Sequence, residues 1–140
     1  MRIDEKVQQI VESIPGLSYE YSESDWEHVT LDSSVELPVC LYLYHLPESG
    51  ELINRNGNFR DFPNALIAFL DNTELIDNAP TIERMKDYAR QFIIAVNNSE
   101  LFDLLPENII YQAVYDKLNV NLTGIMLHVQ LRERQGICVK

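Results

Sequence analysis

Residues 39–46, VCLYLYHL, form a continuous apolar and aromatic run that constrains the fold more than any other stretch. The run is too short for an ordinary helix and rich in strand-favouring residues, so it reads as a central β-strand. ALIAFL (65–70), entered through Pro63 and Asn64, is a second candidate for a buried strand. Between them, Pro47 to Gly50 carry turn chemistry, ELIN (51–54) reads as a returning strand, and Asn56-Gly57 is a further turn signal. On this reading NRNGNFRDF (54–62) is a loop.

Two segments have the other periodicity. Ile3, Val7, Ile10, Val11 and Ile14 recur at helical spacing until Pro15-Gly16, with Asp4 as the expected N-cap. Ile82, Met85, Ala89, Phe92, Ile93 and Val96 make one stripe of a helix from about Thr81 to Asn98. Leu17, Tyr19 and Tyr21 alternate like a short strand, as do Tyr111, Ala113 and Tyr115, and residues 22–36 have room for another. SELFDLLPEN (99–108) reads as a loop or a single helical turn.

The stretch NVNLTGIMLHVQL (119–131) alternates too, but its apolar residues change parity: Val120 and Leu122, then Ile125, Leu127, Val129 and Leu131. A strand with one buried face changes parity only if a residue is inserted or the chain turns. Thr123-Gly124 is therefore expected to be a bulge or bend in preference to a tight turn. The element order is helix, strands, helix, strands, without strict βαβ alternation. It predicts a single α+β domain over residues 1–140, with a mainly antiparallel sheet of four to six strands and two amphipathic helices on one face.

Charge narrows the function. The net charge is −11, and residues 1–36 carry nine acids against two bases while residues 81–140 carry seven of each. Affinity for nucleic acid comes largely from Lys and Arg displacing counterions, so sequence-specific binding to DNA or RNA is not expected. No run approaches the roughly 18 apolar residues of a membrane-spanning helix, and none is expected to enter a membrane. The start is acidic and amphipathic, unlike a signal peptide. Cys40 and Cys138 form no spaced framework and are expected to be reduced thiols in a cytoplasm.

No catalytic pattern emerges, and no catalytic, cofactor-binding or metal-ligating residue is assigned. The five glycines are never clustered, and His28, His45 and His128 lack zinc-site spacing. Cys40 and His45 lie on one predicted strand with side chains on opposite faces, roughly 16–17 Å apart along it. Cys40 is expected to be buried and His128 to face solvent. A small hydrolase would need a pocket joining a histidine to a carboxylate or to Cys40.

The tyrosines read either as rim-of-core packing or as a protein-binding surface. A more specific interaction candidate is the 54–62 segment, where Arg55, Asn56, Phe59 and Arg60 place aromatic and guanidinium groups in an otherwise acidic region. They are placed to dock against a neighbour's acids.

FPNALIAFLD (62–71), RQFIIAVN (90–97) and YDKLNVNLTGIMLHVQLRERQGICV (115–139) resemble small proteins encoded among the tail-assembly genes of bacterial prophages. The element order is similar to that of phage tail-completion (tail-terminator) proteins, which are α+β and assemble as rings on the tail tube. The resemblance implies no enzymatic activity, no cofactor, other tail proteins as partners, and a homo-oligomeric ring made in the bacterial cytoplasm or carried in the virion. Under it, Val120 and Leu122 would face a neighbouring subunit, and an acidic lumen would let DNA pass without sticking. The acidic segment 20–36 has no counterpart in that pattern. The alternative is a monomeric acidic adaptor or immunity-type module, which would use Asp25, Glu27 and Asp32 against a basic protein.

Overall fold

The computed structural model describes residues 2–22, 35–43, 50–74, 77–117 and 121–134. The first helix, α1, spans Ile3–Glu12 and turns Val7, Ile10 and Val11 inward. Its N-cap is Arg2 rather than Asp4: the Lys6 N–H already donates to the Arg2 carbonyl at 3.0 Å. The Glu5 carboxylate reaches back to accept the Arg2 N–H at 2.7 Å, and Asp4 takes the Arg2 guanidinium at 3.0 Å. Both acids sit in the first turn, where the helix dipole favours them. Gly16, at φ +81°, lets the chain turn away just after the helix.

The strands that follow are β1 (Ser18–Ser22), β2 (Val39–Leu43), β3 (Gly50–Arg55), β4 (Asn58–Pro63) and β5 (Ala65–Asn72). The second helix α2 (Ala79–Ser99) leads to β6 (Ile110–Lys117) and β7 (Leu122–Val129). The main sheet has the order β1-β2-β5-β7-β6, with β1 parallel to β2 and every other pair antiparallel. The expected α+β architecture is the one the chain adopts. VCLYL and ALIAFL are interior strands, as their composition requires.

Alternation along these strands divides the core into two. Cys40 and Tyr42 of β2, Ile67 and Phe69 of β5, and Ile125 and Leu127 of β7 face the helices. There Phe69 meets Phe92 of α2 edge-on, with ring centroids 5.7 Å apart. Val39, Leu41, Leu43, Leu66, Leu70 and Met126 point the other way into a second buried cluster, packed against Val35 and Leu37. At roughly 1.5–3 kcal/mol for each fully buried large side chain, both clusters contribute substantially to folding. Tyr42 belongs to the core itself, 1% exposed, and not to a wet rim.

This double burial corrects the reading of the parity change. β7 runs unbroken through Thr123 and Gly124, and its side chains are buried on both faces. Ile125, Leu127 and Val129 serve the helix side, whereas Leu122 and Met126 serve the opposite cluster. An apolar residue of either parity therefore suits it. The ladder irregularity lies in the partner strand: Val114 pairs with Gly124 and Lys117 with Leu122, so the extra residue is in β6. Gly124 has another reason to be glycine. A Cβ there would lie 1.9 Å from the Phe69 carbonyl oxygen of β5.

The 54–62 segment also differs from expectation. It is a β-hairpin, with β3 and β4 paired from Gly50–Pro63 to Arg55–Asn58 in a sheet of their own. Asn56 and Gly57 have φ of 53° and 87°, the left-handed pair of a type I′ turn. ELIN is thus a strand, but its partner is NFRDFP and not VCLYL. The expected strand within residues 22–36 falls almost wholly outside the described residues, as do His45, Val120 and the C-terminal GICV.

Candidate functional site

The hairpin's register sorts its side chains. Leu52 and Asn54 share one face with Phe59 and Asp61, while Ile53 and Arg55 share the other with Asn58, Arg60 and Phe62. The interaction candidates are therefore split. Phe59, 65% exposed, lies with Leu52 on the outer face, Asn56 sits at the turn, and Arg55 and Arg60 occupy the inner face.

The inner face looks onto the chain that leaves β7. Residues 132–134 are tied to the loop after α2: the Asp103 N–H donates to the Arg132 carbonyl at 2.8 Å, and the Arg134 N–H donates to the Leu101 carbonyl at 3.0 Å. Phe102, between them, is fully buried and anchors the loop. These bonds set Arg132 opposite the hairpin. Its guanidinium lies 4.6 Å from the centre of the Phe62 ring, and that of Arg60 lies 4.8 Å from the same centre. Arg132 also donates to Gln130 at 2.5 Å and to Glu51 at 2.8 Å. Phe62 is buried, so two cations are held against a fixed ring.

Ile53, Arg55, Arg60, Phe62, Asp103 and Arg132 thereby line a depression of about 420 Å³. A neighbouring cleft of about 580 Å³ is lined by Glu51, Leu104, Pro106, Ile109, Ile110 and His128 among others. The two share Asp103 and Arg132 and form one groove, cationic at the hairpin end and apolar beside β6. Arg55 and Arg60 hold no ion pair among the described residues. Every other cation whose side chain is described, Arg134 apart, is paired with a carboxylate.

His128 is exposed, as its position in the sequence suggests, and it shares the cleft with Glu51 and Asp103. No described carboxylate forms an ion pair or hydrogen bond with it, and Glu51 is committed to Arg132. Cys40 lies apart from this groove, fully buried, and burial pushes its thiol well above the ordinary 9.0. Burial, with the nearby Cys40 and Asp4, likewise holds the Tyr19 hydroxyl protonated, and it donates to the Asp4 carbonyl at 3.1 Å. Neither group is poised as a nucleophile.

Leu122, expected at a subunit contact, is fully buried beside Val114 and Met126 within its own chain and offers nothing to a neighbour. Among the described residues the exposed large apolar side chains lie elsewhere: Leu52 and Phe59 on the hairpin, Ile94 on α2, Leu104 in the loop, and Ile110, Tyr111 and Tyr115 on β6. β6 is the last strand of the sheet, and its outer edge pairs with no described strand. Arg132 and Phe62, which complete the arginine end, carried no local signal in the sequence. Only the hairpin register and the 101–103 to 132–134 pairing bring them together.

Compared with protein-family models and with curated proteins, the chain matches none. The groove and the open sheet edge are its own evidence. No helix among the described residues is long and apolar enough to cross a membrane.

Proposed function

We propose that this chain is a non-enzymatic structural protein of a phage or prophage, acting in tail completion or head–tail assembly through protein–protein contacts. The observation that carries the contact reading is the open edge of β6, an eight-residue strand whose Ile110, Tyr111 and Tyr115 stay exposed at 71%, 50% and 55%. Unpaired strand edges bearing apolar side chains invite another strand or another chain. The tail setting is supported by the resemblance of residues 62–139 to prophage tail-region proteins and by an α+β element order similar to that of tail-completion proteins.

In this reading the chain forms a homo-oligomeric ring, made in the bacterial host and carried on the tail. Copies of net charge −11 repel one another, so contact through the apolar β6 edge strengthens as salt screens that repulsion. Light scattering across protein and salt concentration, with and without a tail-tube protein, tests the proposal. The expected outcome is a salt-promoted oligomer that Tyr111→Lys/Tyr115→Lys returns to monomer. A strict monomer under every condition, with no binding to tail-tube protein, overturns it.

A further inference from the structure

We infer that the groove between the hairpin inner face and the 103–110 loop binds a short acidic peptide segment of a partner protein. Its carboxylates would be taken by Arg55 and Arg60, beside the Arg132 guanidinium that Glu51 already holds, and an adjoining apolar side chain would enter the cleft beside Leu104 and Ile110. This names the partner chemistry for the protein–protein role proposed above and rests on that reading.

The first argument is the arginines themselves. In a chain with 22 acids and 11 bases, a guanidinium without a carboxylate is unexpected, yet Arg55 and Arg60 both lack one among the described residues and face the same depression. A planar guanidinium matches a carboxylate with two parallel hydrogen bonds. The second is preorganisation. The Phe62 ring holds Arg60 and Arg132, while Gln130 and Glu51 fix Arg132 further, so little side-chain freedom remains to be lost on binding.

The third is the shape and polarity of the whole groove. The arginine end, about 420 Å³, opens beside an apolar-rimmed cleft of about 580 Å³, larger together than a lone inorganic anion needs. Asp103 at the junction subtracts from the positive end, which places the ligand's acids at the hairpin and its apolar group beyond. A nucleic-acid backbone would extend its charges past this patch onto the acidic remainder of the chain, and a second copy would bring its own −11. A short acidic segment meets neither penalty.

The test is fluorescence anisotropy with a labelled synthetic peptide, a glutamate run followed by leucines, on the full chain. Wild type is expected to bind at low salt and lose affinity as salt rises. Arg55→Gln/Arg60→Gln should weaken binding about tenfold or more, the loss expected from two charge-assisted contacts. Arg55→Lys/Arg60→Lys should recover only part of the affinity, since charge returns without the planar fork. Urea unfolding midpoints equal to wild type establish that the variants are folded, and amide shifts of the wild type on titration should map to β3, β4 and residues 130–132. The inference is overturned if the glutamine variant binds as wild type, or if the shifts map elsewhere. It is also overturned if inorganic phosphate alone binds as tightly as the peptide, or if the glutamine variant loses self-association, which would make a second copy the occupant. Peptide binding that survives in Tyr111→Lys/Tyr115→Lys separates failure of assembly through β6 from failure of the groove.

Discussion

Two residues show how little room this core leaves. Gly124 lies where β7 passes the backbone of β5, and the 1.9 Å contact that a methyl group would make is with a carbonyl oxygen, not a side chain that can move aside. Gly124→Ala is expected to cost about 3 kcal/mol or more, beyond ordinary overpacking, as read from urea unfolding. Cys40 tests burial differently. Its folded thiol titrates well above 9.0 because the thiolate is desolvated, so the folded state keeps a proton that the unfolded chain releases. Stability from this source is complete below pH 9 and falls as pH rises from there towards the folded value. Tyr19 adds a loss of the same sign only above its ordinary 10.0. Thermal midpoints from pH 8 to 10 should therefore drop less in Cys40→Ala than in wild type; parallel drops would show that Cys40 is not the source.

At the scale of elements, the hairpin carries the candidate site and rests on its turn. Gly57 has open space around it, so Gly57→Ala meets no clash and pays only for a positive φ, about 1 kcal/mol. The variant should unfold at a lower urea concentration, and acidic-peptide affinity should fall with it because Arg55 and Arg60 flank that turn. Unchanged affinity would mean that the hairpin does not set the groove. Some of this was legible in the sequence. The stripe Ile82, Met85, Ala89, Phe92 and Val96 announced α2, and the compositions of VCLYL and ALIAFL announced interior strands, because burial acts directly on residue type. The parity change at Thr123-Gly124 misled, since alternation reports one buried face and β7 has two. Asn56-Gly57 was visible as a turn. Its pairing of β3 with β4, and hence the division of Phe59 from Arg55 and Arg60, depends on where NFRDFP goes once the chain is folded. The groove was the least legible, because Arg132 joins Arg60 across some 70 residues of sequence.

Across the whole molecule, salt should act in opposite directions on the two proposed contacts. Screening relieves repulsion between copies and promotes association through β6, whereas it weakens carboxylates held by Arg55 and Arg60. One salt titration that follows light scattering and peptide anisotropy together should give curves of opposite slope. Curves of the same slope would mean that one contact has been assigned the wrong chemistry. The burial of β2, β5 and most of β7 on both faces has a consequence at this scale as well. VCLYL, ALIAFL and the middle of β7 are β-prone, uncharged segments, the kind that associate into insoluble aggregates when a nascent chain exposes them. Glu36 precedes the first, and Asp71 and Glu74 follow the second, at flanking positions where charge disfavours such association. An excess of negative charge such as the −11 of this chain opposes association of such segments before the two cores close.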